Sequence, residues 1–272
     1  MSPLLATMAL TVRYGGVVAV SGVDLSVEEG HIVGLIGPNG AGKTSFIDAL
    51  SGMAPSSGTI RFDGQDLGKR PPHRRAKAGL VRTWQSIELF EDLSVRENLQ
   101  VALERESAFD LLVDMVLPRL RRGAGHEEAI AFALDLVGAR DLADRYPSEL
   151  SQGQRKMIGV ARALAQRPRL VCMDEPAAGL DSEESRRFGS RLRQIVQQGI
   201  SILLVDHDMG LVFDVCDELY VLNFGVLLAH GPTSAVRDDP AVIEAYLGRS
   251  GDDEASLAES PSDGLSATGG PE

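Results

Sequence analysis

With 272 residues, 43% of them hydrophobic and 24% charged, the chain can bury a full core and has the balance of an ordinary globular protein. A net charge of −12, from 39 acidic against 27 basic residues, argues against a nucleic-acid face, which would be basic. No apolar run reaches the ~18–20 residues that cross a bilayer, and the N-terminal MSPLLATMALTVR lacks the basic start and apolar stretch of a secretion signal.

In chain order, alternation predicts short strands at Leu10–Arg13, Val17–Val20 and Asp24–Val27. An apolar run, His31–Ile36, then leads into Gly37–Thr44, and a helix follows over Thr44–Leu50. Thr59–Phe62 reads as a strand ahead of an Asp63-Gly64 turn. Residues 66–79, basic and rich in proline, read as a surface loop with a short helix. Residues 86–165 carry helical periodicity; within them Ala108–Leu120 is strongly apolar, either an amphipathic helix packed among other helices or a membrane-surface element.

Strands and helices then alternate: strand Leu170–Met173, helix Glu183–Gln198, strand Ser201–Val205, helix Met209–Val215, strands Glu218–Leu222 and Val226–His230. Short continuous apolar runs between helices predict a parallel sheet covered on both faces. Asp239-Pro240 begins a last helix ending near Gly248. Residues 249–272 are rich in Ser, Gly, Pro and acids, with no Lys or Arg beyond Arg249, and are expected to form a disordered acidic tail. Cys172 and Cys216 form no C-x-x-C and are expected as small buried hydrophobes in a reducing compartment; the five histidines show no metal-ligand spacing.

Gly37–Thr44 reads GPNGAGKT, the G-x-x-x-x-G-K-[ST] phosphate-binding loop, in its strand–loop–helix setting. Successive backbone N–H groups must curl around phosphate oxygens, and a Cβ at Gly40 or Gly42 would restrict that path. The helix N-terminus adds positive partial charge. Gly37, Pro38, Asn39, Gly40, Ala41, Gly42, Lys43, Thr44 and Ser45 therefore form the expected ATP site. Lys43 would reach the β- and γ-phosphates and the Thr44 hydroxyl would ligate Mg²⁺. The strand Leu170–Met173 ends in Asp174-Glu175. Asp174 would hold Mg²⁺, directly or through water, and Glu175 is suited to orient or deprotonate an attacking water.

A third motif, Leu150-Ser151-Gln152-Gly153-Gln154, runs into a helical stretch containing Ala161-Arg162-Ala163-Leu164. With the other two motifs in this order, the chain resembles the ATP-binding-cassette (ABC) ATPases, whose signature is L-S-G-G-Q; here Gln152 replaces the first glycine. The resemblance implies a P-loop α/β fold over residues 5–248: a RecA-like parallel-sheet core, an antiparallel β subdomain and a helical subdomain at about 86–165. It implies that Ser151, Gly153 and Gln154 bind the γ-phosphate of ATP held by an opposite subunit. Tyr14 would stack on adenine, the alternative being a packed strand tyrosine. Gln85 would contact Mg²⁺ or water and sense the membrane partner. Asp181 would reach across the dimer, although Asp181 with Glu184 also makes a capping box. His207 would hydrogen-bond the γ-phosphate.

Val12–Gly16, Gly79–Gln85, Asp174–Asp181, Asp206–Met209 and Asp239–Gly248 are similar to one branch, the ATPases of branched-chain amino-acid uptake, whose relatives import urea or short amides. That branch implies a second ATPase subunit, the same or different, two transmembrane permease subunits and an extracytoplasmic solute-binding protein, with no nucleic acid. The ATPase would lie peripherally on the cytoplasmic face of the inner or plasma membrane. Residues Gln85–Val95, with Ile87, Leu89 and Phe90 as apolar members, would line the groove that receives the permease, the alternative being packing within the helical subdomain. The alternative is a soluble ABC ATPase of repair, translation or iron–sulfur assembly. A GTPase is disfavoured because no Asn is followed by Lys.

Overall fold

The computed structural model describes residues 2–83, 89–103 and 124–246. Among the described residues, ten strands form two sheets. The first is antiparallel, in the order β2-β1-β4-β5, with β1 at Leu5–Tyr14, β2 at Val17–Val27, β4 at Ser56–Phe62 and β5 at Gln65–Asp66. The two short strands expected at 17–20 and 24–27 are one continuous β2. Register shifts along β1, with Ala9 at φ 49°, break the period-2 alternation that marks a strand in sequence.

The second sheet has the order β10-β9-β3-β8-β7-β6. Its strands are β3 (Ile32–Ile36), β6 (Leu80–Arg82), β7 (Leu170–Asp174), β8 (Ser201–Val205), β9 (Glu218–Asn223) and β10 (Val226–Pro232). From β6 to β9 all neighbours are parallel, and β10 turns back antiparallel at the edge. Every residue of β3, β7 and β8 is buried, as their unbroken apolar runs require. The side chains divide by pleat. Ile32, Ile36, Val171, Met173, Ile202 and Leu204 face one core, shared with Ile158, Phe188 and Leu192. Val33, Leu35, Cys172, Leu203 and Val205 face the other, shared with Phe46 and the first sheet's Leu10 and Val12. Burial pushes both free thiols, Cys172 and Cys216, up to about 12.

Among the described residues the helices are α1 (Lys43–Ser51), α2 (Pro72–Lys77), α3 (Val95–Leu103), α4 (Ala124–Val137), α5 (Gln152–Leu164), α6 (Ser182–Gln197), α7 (Met209–Val215) and α8 (Thr233–Arg237). A further helical stretch covers 240–246. Helix α1 packs on β1, β2, β6 and β7, whereas α5 packs on α3 and α4. The basic segment expected at the surface is partly internal. Arg75 is buried, and its guanidinium donates to Ala49 O, Leu50 O, Gly68 O and Arg70 O, closing the C-terminal end of α1. Ala108–Leu120 and the tail 249–272 lie outside the described residues, and no described helix is long and apolar enough to cross a membrane.

Candidate active site

Strand β3 ends at Ile36 and the chain wraps through Gly37–Gly42 into α1. Gly42, the cap of α1, has φ 102°, no side-chain cap and no acid in the first turn after it, so the helix start keeps its positive partial charge. The glycines serve different needs. A Cβ on Gly37 would stand 2.1 Å from Leu222 O, and one on Gly42 would stand 2.3 Å from Ala19 O. At Gly40 the space is open, and only the left-handed φ of 76° calls for glycine. Lys43 Nζ donates to Gly37 O at 2.7 Å and Pro38 O at 3.0 Å, which holds the ammonium within the loop. The β9–β10 turn pins the loop from outside: Gly225 N donates to Ala41 O at 3.0 Å and Ser21 N to Gly225 O at 2.7 Å. Tyr14, at the end of β1, is exposed rather than packed within the sheet.

The acids stand at the end of β7. Asp174 is 1% exposed; its Oδ2 accepts from Arg82 Nη2 at 3.0 Å, while Oδ1 is buried with no hydrogen-bond partner among the described residues. Burial pushes this carboxyl above its usual range, and Arg82 and the neighbouring Thr44 hydroxyl pull it back. An orphaned buried oxygen beside a threonine hydroxyl fits a hard divalent cation such as Mg²⁺.

Glu175 N donates to Val205 O at 2.7 Å, and its φ of 48° is left-handed. A non-glycine residue held there costs ~1–3 kcal/mol and is found preferentially at functional sites. His207 follows β8, with Nδ1 3.9 Å from Glu175 Oε2.

Asp206, to which its local sequence assigns no role, is buried and accepts three backbone N–H groups: His207 at 2.8 Å, Asp208 at 3.0 Å and Ala177 at 2.9 Å. It binds the segment after β7 to the segment after β8. From α5, the buried Lys156 faces Asp206 and Glu175; burial lowers its pKa and these two acids raise it.

The third motif forms a second group. Ser151 caps α5, accepting Gln154 N at 3.2 Å, while Gln154 Oε1 accepts Ser151 N at 2.9 Å. Gln152 lies across Gly179: a Cβ on Gly179 would be 2.8 Å from Gln152 Nε2. A Cβ on Gly153 would be 3.1 Å from Glu184 Oε1. Asp181 caps α6, its Oδ1 accepting Glu183 N and Glu184 N, both at 2.8 Å, so the capping expectation holds. Ser151, Gly153, Gln154, Leu180, Glu184 and Arg187 contribute to the walls of a cavity of about 570 Å³.

The structure thus gathers the phosphate loop, Asp174, Glu175 and His207 at the C-terminal ends of the adjoining strands β3, β8 and β7. It gathers Ser151, Gly153 and Gln154 with the residues next to Asp181 as a second group, at the N-terminal ends of α5 and α6. Gln85 lies outside the described residues.

A model of the ABC transporter family matches residues 20–178, and one of branched-chain amino acid ATP-binding cassette transporters matches residues 226–252. The chain is 39% identical over 252 residues to the high-affinity branched-chain amino acid transport ATP-binding protein BraF of Pseudomonas aeruginosa, covering 90% of this chain and 98% of that protein. It is 37% identical over 250 residues to LivG of Escherichia coli, described by the same function, with the same coverage. Among solved structures, a nucleotide-free ATP-binding cassette from an ABC transporter superposes with TM-score 0.79 at 28% identity, over 90% of this chain and 99% of that one. A cassette in its ADP conformation superposes with TM-score 0.80 at 29% identity, over 91% and 100%.

Proposed function

The chain belongs to the ABC transporter family, as an ATP-binding cassette with the fold of an ATPase coupled to transport, and from that premise we propose that it powers an importer of branched-chain amino acids or a related small polar solute, such as urea or a short amide. The observation that carries the reading is the meeting of Lys43, Thr44, Asp174, Glu175 and His207 at neighbouring strand ends, in a chain whose relatives BraF and LivG are named for branched-chain amino acid transport.

In this reading Lys43 turns from the Gly37 and Pro38 carbonyls to the β- and γ-phosphates of ATP, and the loop N–H groups hold phosphate oxygens. Tyr14 stacks on adenine. Thr44 and Asp174 would hold Mg²⁺, with Gln85 contacting it or its water, and the ion would supply charge neutralisation to the phosphates. Glu175 accepts the proton of a water whose oxygen adds to the γ-phosphorus. The bond from that phosphorus to the β–γ bridging oxygen breaks, leaving ADP and inorganic phosphate. His207 hydrogen-bonds the γ-phosphate.

Ser151, Gly153, Gln154 and Asp181 complete the site of a second ATPase chain, the same or different, so the isolated monomer hydrolyses slowly. Residues 5–248 carry the ATPase, with a helical subdomain at about 86–165, and 249–272 are dispensable for ATP hydrolysis. Two permease subunits hold the dimer at the cytoplasmic face of the membrane, and an extracytoplasmic binding protein delivers the solute. Reconstitution of this chain with the permeases and second ATPase of such an importer in proteoliposomes tests the proposal. ATP-driven leucine uptake is expected; failure to bind any permease, or uptake unaffected by Lys43→Ala, would contradict it.

A further inference from the structure

Arg82, on the edge strand β6, reaches two carboxylates that come from different elements. Its Nη2 donates to Asp174 Oδ2 at 3.0 Å, and its Nη1 donates to Asp48 of α1. The Arg82 and Asp174 side chains are 8% and 2% exposed. A planar guanidinium offers its donors in fixed directions, so a fork shared between two acids sets their relative position. One oxygen of Asp174 is thereby engaged, while Oδ1 stays buried with no hydrogen-bond partner among the described residues. The other arm of the fork holds α1, the helix that opens with Lys43 and Thr44.

We infer that Arg82 is a positioning residue for the metal: by engaging Oδ2 it leaves Asp174 Oδ1 as the metal-facing oxygen, and through Asp48 it holds Thr44 at a fixed spacing from that oxygen. The inference rests on Thr44 and Asp174 being the Mg²⁺ ligands. A buried carboxylate with a free rotamer would present either oxygen and would lose alignment with Thr44. Lysine in place of Arg82 would keep the charge but, as a point donor, would not span both acids. Asp48 takes no part in chemistry, so its loss should weaken only the alignment.

The test is the Mg²⁺ requirement for binding a fluorescent ATP analogue by the full chain, measured alongside binding in EDTA, for Arg82→Met, Arg82→Lys and Asp48→Asn. Arg82→Met loses both charge-assisted hydrogen bonds and should raise the half-saturating Mg²⁺ roughly tenfold; the other two variants should raise it less, with affinity in EDTA kept within about twofold. The electron paramagnetic resonance spectrum of Mn²⁺ bound with nucleotide should change in the same order. Should Arg82→Met be poorly folded, Arg82→Lys and Asp48→Asn carry the test. An unchanged Mg²⁺ requirement in folded variants, or equal losses with and without metal, would overturn the inference. Thr44→Ala separates the two layers: if it leaves the Mg²⁺ requirement unchanged, the ligand assignment itself fails and the inference with it.

Discussion

Glu175 Oε2 stands 3.9 Å from His207 Nδ1, with the two residues following the paired strands β7 and β8. The Glu175 backbone is tied to Val205 O, and Asp206 bridges both segments, so the relationship is fixed by buried backbone hydrogen bonds rather than by the exposed imidazole. His207→Ala should therefore fold normally, with stability within about 0.5 kcal/mol of wild type. It should slow single-turnover hydrolysis by roughly 10²-fold, the order of removing one donor to developing phosphate charge, while nucleotide affinity barely moves. Hydrolysis at the wild-type rate would remove His207 from the site.

Arg75 satisfies carbonyls at the end of the phosphate-loop helix from inside the protein. Arg75→Ala should leave buried acceptors unpaired and cost about 2–4 kcal/mol. Chemical denaturation measures this directly. A change below about 0.5 kcal/mol would mean that water replaces the guanidinium at no cost.

Gln152 and Gly179 are packed against each other where the third motif meets the loop before α6. Gly179→Ala meets two obstacles, a left-handed φ of 77° and the Gln152 amide. The backbone strain should cost about 1–2 kcal/mol of stability or of dimer closure, and displacing the Gln152 amide, the end of a flexible exposed side chain, only a small further amount. Adding Gln152→Gly should recover the steric part and leave the backbone strain. Stability and ATP-dependent association across this double-mutant cycle report the coupling. Additive effects would show that the two do not constrain each other.

Leu89 and Phe90 were expected to face a permease together, but they differ: Leu89 is 8% exposed and Phe90 51%. Phe90→Asp should therefore weaken transport at least tenfold while basal hydrolysis persists, if a docked apolar contact worth about 1.5–3 kcal/mol is lost. Leu89→Asp should instead unfold its surroundings, because it buries an unpaired charge. Uptake assays alongside thermal denaturation distinguish the two, and unimpaired uptake by Phe90→Asp would exclude that residue from the permease groove.

Much of the site is legible along the chain because its chemistry is local. The phosphate loop, the Asp174-Glu175 pair after a buried strand, and the Asp181–Glu184 capping box each fit within one short span. The strands β3, β7 and β8 show as unbroken apolar runs because both their faces are covered. Strand β6 did not show, since Leu80–Arg82 is too short to carry a period. Arg82, Arg75 and Asp206 were missed for a different reason. Their partners come from other elements, and nothing near them in sequence distinguishes a buried, multiply bonded charge from a solvated one. The extents of β1 and β2 were cut short because bulges shift the alternation out of phase.

The measurement that bears most directly on the site is single-turnover hydrolysis by Glu175→Gln, with the partner ATPase present and Lys43→Ala in parallel. The amide keeps the shape of the side chain and leaves Thr44 and Asp174 untouched, so Glu175→Gln should bind nucleotide as the wild type does and hold an ATP-dependent dimer. Its hydrolysis should fall by ~10²–10⁴-fold, the usual contribution of a general base. Lys43→Ala should lose nucleotide affinity itself, because it removes a cation that meets the phosphates before any bond breaks. If Glu175→Gln turns over ATP at close to the wild-type rate at this site, the catalytic account is contradicted.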